Sequence, residues 1–322
     1  MLRPIILLCF LSFSTVLHAF SYLGHQAIAE IARENLTPEA RSAIISILGD
    51  DYLPAVAPWL DETRENMRKR KVPAEDVEFA TRFPNSQRWH YLGLPVGTTE
   101  YSASSPFADR DDLIHAIDVC VRILEDPKSS PRLRGYAIKA IIHLIGDLHQ
   151  PLHVVSGYYK VSSDGGFLRL APNEASPRST TDAGGNALFV SSSVNLHSYV
   201  DSLLPTERSG GVSYDYLLNA LRSHRVRVQK PAGGPEQWAA EWAKDGLATG
   251  ATIYSGLSLA QPELSGNRTR VTVRKISIQV SPDVLHALPS IIEGQMALAG
   301  YRLAFLLNHI DWERGRIVQS QR

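Results

Sequence analysis

Apolar residues recur every three or four positions in seven stretches of the chain: 28–33, the segment after the Thr37-Pro38 start signal, 111–124, 136–148, 214–226, 235–254 and 282–310. That period gathers apolar side chains on one face of a helix, so each stretch predicts a helix that packs by that face. Residues 270–280 alternate instead, with Val271, Val273, Ile276, Ile278 and Val280 apolar and Arg270, Arg274 and Lys275 polar. A period of two predicts a small strand or hairpin whose charges form a solvated face. Residues 157–185 are rich in Gly, Ser, Pro and Asp and nearly aperiodic. They predict a long loop, with room for a short hairpin around 167–170. The fold class expected is all-α: a mainly helical fold with a small β-hairpin or two, and no repeat or low-complexity tract.

Composition changes this picture at the amino terminus. Arg3, an apolar run over residues 5–16 and the small residue Ala19 precede a change of character at Phe20. This is the pattern of a signal peptide cleaved near Ala19. The run is shorter than the ~20 residues a membrane span needs, so we expect an exported, soluble protein without a membrane anchor, with residues 20–322 as one domain. Of two cysteines, Cys9 lies in the signal segment, which leaves Cys120 without an intrachain partner. The chain's 33 basic and 33 acidic side chains cancel. A broad electrostatic footprint for duplex nucleic acid is therefore excluded, and any nucleic-acid contact must be local.

The candidate chemistry lies in the histidines and carboxylates. His143 and Asp147 are four apart in a strongly helical segment and project from one face; His197 and Asp201 repeat the spacing. Pro151 ends or kinks the helix and lets His153 turn toward a neighbouring site. His25, Asp61 and His90 stand among apolar or aromatic neighbours, where an unpaired polar group is costly. Each residue taken singly is more usually a satisfied core position. Together they form a mixed nitrogen and oxygen set suited to zinc, and the lack of sulfur excludes Cys-type zinc or iron–sulfur sites.

The order of these residues resembles that of the zinc-dependent S1/P1 nuclease family, which shares a helical fold with bacterial zinc phospholipases C. The matching pieces are Phe20 to His25, Trp59 to Arg64, Trp89-His90-Tyr91, the run from His143 through Asp147-Leu148-His149-Gln150-Pro151-Leu152 to His153, Asp182 to Asn186, Asn195-Leu196-His197 with Asp201, and Ala299 to Ala304. They span nearly the whole chain after Ala19. The resemblance implies three zinc ions. One is held by Asp61, His90, His143 and Asp147, a second by His153, His197 and Asp201. The third is held by His25, by Asp147 as a bridge, and by the backbone amine and carbonyl of Phe20, where most relatives begin with tryptophan.

The resemblance also implies an endonuclease and 3′-nucleotidase that cuts single-stranded DNA and RNA to 5′-phosphate products and accepts nucleotides. Water activated between the zincs that share Asp147 would attack phosphorus in line. Arg64 would neutralise charge on the phosphoryl oxygens, unless it is an ordinary solvated arginine beside Arg68 and Arg70. Tyr91 would stack on a nucleobase or pack the core; Asn186 would contact substrate or close a turn. Gly93 stands where some members carry a base-contacting acid. We read His149 as supporting a ligand at most, Arg302 as one half of a buried ion pair, and the protein as a monomer. The alternatives are a zinc phospholipase C, whose members generally carry Glu where this chain has Asp201, and a zinc-binding protein without catalysis, which would need neither Arg64 nor an aromatic beside His90.

Overall fold

The computed structural model describes residues 22–161, 167–203, 214–260, 263–267 and 270–313, and helices dominate them. In chain order they are α1 (Tyr22–Glu34), α2 (Pro38–Leu48), α3 (Leu53–Val56), α4 (Trp59–Lys69), α5 (Val77–Arg82) and α6 (Leu113–Glu125). Then follow α7 (Pro131–His149), α8 (Pro151–Val154), α9 (Leu196–Ser202), α10 (Tyr214–Ser223), α11 (Trp238–Ser255) and α12 (Pro282–His309). Every stretch predicted from the three-to-four period falls on a helix, although α6 starts two residues later than expected and α10 ends at Ser223, three residues early. Their starts are set by local chemistry. Thr37, Asp112, Ser130 and Ser281 each accept a backbone N–H of the first turn, and Pro38, Pro131 and Pro282 supply a preset φ just inside it.

Helix α7 is the axis of the molecule. Every residue from Ala140 to His149 is buried, because α6, α12, α11, α4 and α2 surround it. A helix enclosed on all sides is apolar all round, so the polar groups it carries inward, His143, Asp147 and His149, must find partners inside. Helices α4 and α9 lie outside the predicted stretches. Only Trp59, Leu60 and Thr63 of α4 are buried, too few to show a period, and α9 has seven residues.

The segment expected as a loop is more ordered than its composition suggests. Within it β3 (Tyr158–Val161) pairs antiparallel with β4 (Phe167–Arg169) on one side and β5 (Thr180–Thr181) on the other. Tyr158 and Tyr159 are both buried, so the strand never shows the alternation that would have revealed it. Strands β1 (Leu94–Pro95) and β2 (Val155–Ser156) form a short parallel pair ahead of it. The predicted strand at 270–280 is β9 (Arg270–Val280); it pairs antiparallel with β7 (Leu257–Leu259) and β8 (Glu263–Asn267) and parallel with β6 (Leu188–Phe189). Ile276 and Ile278 point into the core while Ser277 and Gln279 are exposed.

No helix among the described residues is long and apolar enough to cross a membrane. Cys120 is buried and free. The signal segment and Phe20 lie outside the described residues.

Candidate metal centre

The site assembles around the carboxyl-terminal turns of α7. His143 and Asp147 share one helix face; α1 brings His25 against it, α4 brings Asp61, and the turn after Ser86–Arg88 brings His90. His25 reaches α7 because position 146 is glycine: a Cβ there would lie 2.6 Å from His25 Nδ1. Gln150 then ends α7 and starts α8, its side chain accepting the Leu152 N–H, and Pro151 fixes the new direction that delivers His153. Helix α9, capped by Asn195, presents His197 and Asp201 on one face.

The eight side chains expected from the sequence converge in three groups: His25 with His143 and Asp147; Asp61 with His90 and His143; His153 with His197 and Asp201. His143 is common to the first two, and Asp147 lies beside both. Its Oδ2 lies 2.9 Å from His90 Nδ1 and 3.2 Å from His143 Nε2, and its Oδ1 lies 3.5 Å from His25 Nε2. Asp61 approaches His90 and His143 at 3.7 and 3.9 Å, and His197 Nε2 lies 3.6 Å from Asp201 Oδ2. Zinc bonds of about 2.0–2.2 Å in a tetrahedron set neighbouring ligand atoms roughly 3.3–3.5 Å apart. The observed spacings straddle that edge length, so the donor set and its dimensions both fit zinc.

Backbone carbonyls orient the rings. His143 Nδ1 donates to Ala57 at 2.9 Å, His153 Nδ1 to His90 at 2.6 Å and His197 Nδ1 to Gly184 at 2.8 Å. A carbonyl can only accept, so each ring carries a proton on Nδ1 and turns Nε2 toward its group, where it could ligate a metal. Gln150 Nε2 likewise donates to Asp201 Oδ1 at 3.0 Å and steers the carboxylate.

Burial lowers the basicity of His25, His90 and His153, the last to about 4, so these rings are neutral at pH 7. His143 behaves differently. Burial lowers it too, but the Asp147 and Asp61 carboxylates outweigh this and hold it up at about 9. Burial opposes ionisation of Asp147 and Asp61, yet the charge of His143 prevails: Asp147 is held well below the usual carboxylate range and Asp61 at about 2. The metal-free centre thus stores a proton on His143 that an incoming cation must displace. Below pH 9 the affinity of that group is expected to weaken about tenfold per pH unit, since each unit makes the proton tenfold harder to displace. Zinc affinity measured from pH 6.5 to 8.5 checks this, with the His143 titration midpoint followed by NMR in the metal-free chain. A flat profile would contradict it.

The groups open into a cavity of about 580 Å³ whose lining includes Asp61, His90, Asp147, His153, His197 and Asp201. Asp61 is the open member, its side chain 41% exposed, and Arg64 Nη2 stands 3.4 Å from its Oδ1 on the cavity wall. Tyr91 also lines the cavity and is 47% exposed, so it is not a core residue. Asn186 is at the rim, its amide closing the turn onto the Ala183 carbonyl at 2.8 Å. His149 faces away: its Nδ1 donates to Ile145, its Nε2 accepts from Arg302 at 2.9 Å, and burial followed by the Arg302 charge drives it down to about 3. Arg302 also pairs with Asp245 at 2.5 Å; the pair expected from the sequence is present but only half-buried, because the Asp245 side chain is 45% exposed.

Sequence reasoning did not single out Gln150, Arg88, Phe107, Tyr158 or the carboxylate of Asp182. Arg88 and Phe107 sit in a segment without periodicity, and nothing local marks them. Tyr158 forms cavity wall, donating to the Gly93 carbonyl at 2.8 Å. Asp182 is fully buried and accepts from Gly157 N, Gly185 N and the hydroxyls of Tyr159 and Tyr254. Burial pushes its carboxyl up, against the pull of these four donors.

Comparison with known proteins agrees with this geometry. A family model described as S1/P1 Nuclease matches residues 20–311. The chain is 27% identical over 316 residues to Nuclease S1 of Aspergillus oryzae, covering 93% of this chain and 94% of that protein. It is 25% identical over 297 residues to Nuclease P1 of Penicillium citrinum, covering 89% and 96%, and 25% identical over 312 residues to Nuclease PA3 of a Penicillium species, with the same coverage.

Proposed function

The chain belongs to the S1/P1 nuclease family, and from that premise we propose that it is an exported zinc-dependent endonuclease and 3′-nucleotidase. Its substrates are single-stranded DNA, RNA and nucleotides, its products carry 5′-phosphate, and it acts as a monomer. The observation that carries this reading is the set of three His and carboxylate groups, two of them sharing His143 with Asp147 beside both, next to a cavity also lined by Arg64 and the exposed Tyr91.

Three zinc ions fit the donors. Asp61, His90, His143 and Asp147 would hold one, His153, His197 and Asp201 another, and His25 with Asp147 and the backbone amine and carbonyl of Phe20 the third. Bound zinc lowers the pKa of a coordinated water toward about 7 and offsets charge on phosphoryl oxygens. The remaining work falls to the chain. Asp147 presents Oδ2 to His90 and His143 and Oδ1 to His25 and His153, so it would be the ligand shared between neighbouring ions. Arg64, held by Asp61 at the cavity wall, offers its guanidinium to phosphoryl oxygens as they gain charge. Tyr91 offers a ring face to a nucleobase, a contact worth about 1–3 kcal/mol that tolerates any base. A paired base keeps its faces inside the stack, which favours single strands. Asn186, also in the cavity lining, offers its side chain to substrate. With glycine at position 93, no carboxylate there selects among bases.

Export is supported by the signal pattern and by the family match, which begins at residue 20, the first residue after the expected cleavage. The test is metal analysis of the chain beginning at Phe20, with rates on denatured DNA, duplex DNA, a 3′-nucleotide and phosphatidylcholine compared in one buffer. We expect three zinc ions and a preference for denatured over duplex DNA. Cleavage of phosphatidylcholine alone, or uptake of zinc without hydrolysis of any of the four, would overturn the proposal.

A further inference from the structure

The turn at 183–185 is unusual in its backbone. Ala183, Gly184 and Gly185 adopt φ of 54°, 64° and 80°, three left-handed residues in succession. Ala183 bears the steric penalty of that region, about 1–2 kcal/mol. Gly184 cannot be replaced, because a Cβ would press into the Leu152 carbonyl oxygen. Such a turn persists only where its surroundings over-determine it. Its product is one correctly aimed atom, the Gly184 carbonyl oxygen, which receives the Nδ1 proton of His197.

What fixes the turn is the carboxylate of Asp182. Its Oδ1 accepts from Gly185 N at 3.1 Å and from Gly157 N at 3.1 Å, which ties the two ends of the 157–185 segment together. Tyr254 of α11 donates to the same oxygen at 2.9 Å, and Tyr159 of β3 donates to Oδ2 at 2.7 Å. Ser156 Oγ accepts the Gly184 N–H at 2.9 Å and closes the arrangement. An acceptor-only group saturated by four donors from four places in the sequence cannot rotate without stranding a buried donor.

We infer that Asp182 is a positioning residue for metal binding: through the 183–185 turn it holds His197 at the angle that completes the His153, His197 and Asp201 group, and so governs the retention of one ion out of three. The inference rests on the zinc-dependent reading above. Asp182→Asn keeps the volume but removes the charge that strengthens all four hydrogen bonds. Its oxygen can stay on Gly185 N, Gly157 N and the Tyr254 hydroxyl only while its NH₂ faces the Tyr159 hydroxyl, which must turn from donor to acceptor, so the hold on the turn weakens. The turn then relaxes, and His197 loses its carbonyl. Outer partners of metal-bound histidines are worth about 10–100-fold in metal affinity.

The experiment measures zinc content and stepwise zinc affinity of the full chain from Phe20, for the wild type, Asp182→Asn, His197→Ala and the double variant. The expected result is a 10–100-fold weakening of one ion in Asp182→Asn, with the other two retained and the helical circular dichroism unchanged. Adding Asp182→Asn to His197→Ala should weaken zinc binding no further, because both act on the same ion. If Asp182→Asn fails to fold, Tyr159→Phe and Tyr254→Phe, which keep the carboxylate, report the same coupling as a smaller loss at the same ion. Three ions held with wild-type affinity in every folded variant, or a double variant whose losses add, would overturn the inference and make Asp182 a brace of the fold alone. A wild type that binds no zinc would instead sink the metal-dependent reading, and the two failures are thereby told apart.

Discussion

Asp147→Asn is expected to lower turnover of denatured DNA by roughly 10³-fold or more and to leave the chain short of its full complement of zinc. Both oxygens of this carboxylate are committed, Oδ2 to His90 and His143, Oδ1 to His25 and His153. An amide replaces one of them with an NH₂ that cannot ligate a cation, so whichever way it settles, one of two groups loses its shared member. The substitution also removes the negative charge that, with Asp61, holds His143 up at about 9. His143 should then titrate nearer the ordinary histidine range, a signature readable by NMR in the metal-free chain. The fold should survive, because Ile141, Ile142, Leu144, Ile145 and Leu148 of α7 keep their apolar packing and the amide matches the carboxylate in volume. Full turnover with full zinc would refute the bridging role. Lost turnover with full zinc would place the defect in the chemistry rather than in metal retention.

The ligand-bearing part of this architecture is legible in the sequence because it is local. His143 and Asp147 fall on one face by helical period alone, Pro151 announces the change of direction before His153, and His197 with Asp201 repeat the spacing. The helices that carry core residues in register, α1, α6, α7 and α12, show their period for the same reason. Failures occur where tertiary contacts decide. Helix α4 buries only its first turn and one threonine, so its sequence reads as polar although it carries Asp61 and Arg64. The 157–185 segment reads as loop because what orders it lies elsewhere: the Asp182 carboxylate bonds to Tyr254, 72 positions on, and Tyr158 bonds to Gly93, 65 positions back. Asp182 stands in a motif the sequence displays. Its role does not, because no spacing rule says that a buried acid serves a histidine through a strained turn.

A chain with extra residues ahead of Phe20 is expected to lose the ion at His25 and, with it, activity by about 100-fold or more. Among the described residues the side chains alone do not complete that group. His143 Nδ1 donates to Ala57, and its Nε2 faces Asp147 Oδ2 and Asp61 Oδ2, so the ring has one ligand atom and the Asp61 and His90 group claims it. His25 and Asp147 are left, two ligands short of the four that zinc takes. Phe20 can supply both missing atoms, its amine and its carbonyl. It precedes the first residue of α1 by only two positions in the sequence, and the chain extends at most about 3.3–3.6 Å per residue, so the length of chain does not forbid this assignment. An α-amino group with a reference pKa near 7.7–8.0 gives up its proton to zinc at neutral pH, whereas an amide nitrogen in the middle of a chain has no such lone pair to offer. Zinc content and rate on denatured DNA, measured before and after proteolytic removal of the extension, decide the matter. Both should return on cleavage to Phe20. An extended chain with unaltered zinc and rate would show that export processing and catalysis are independent in this protein.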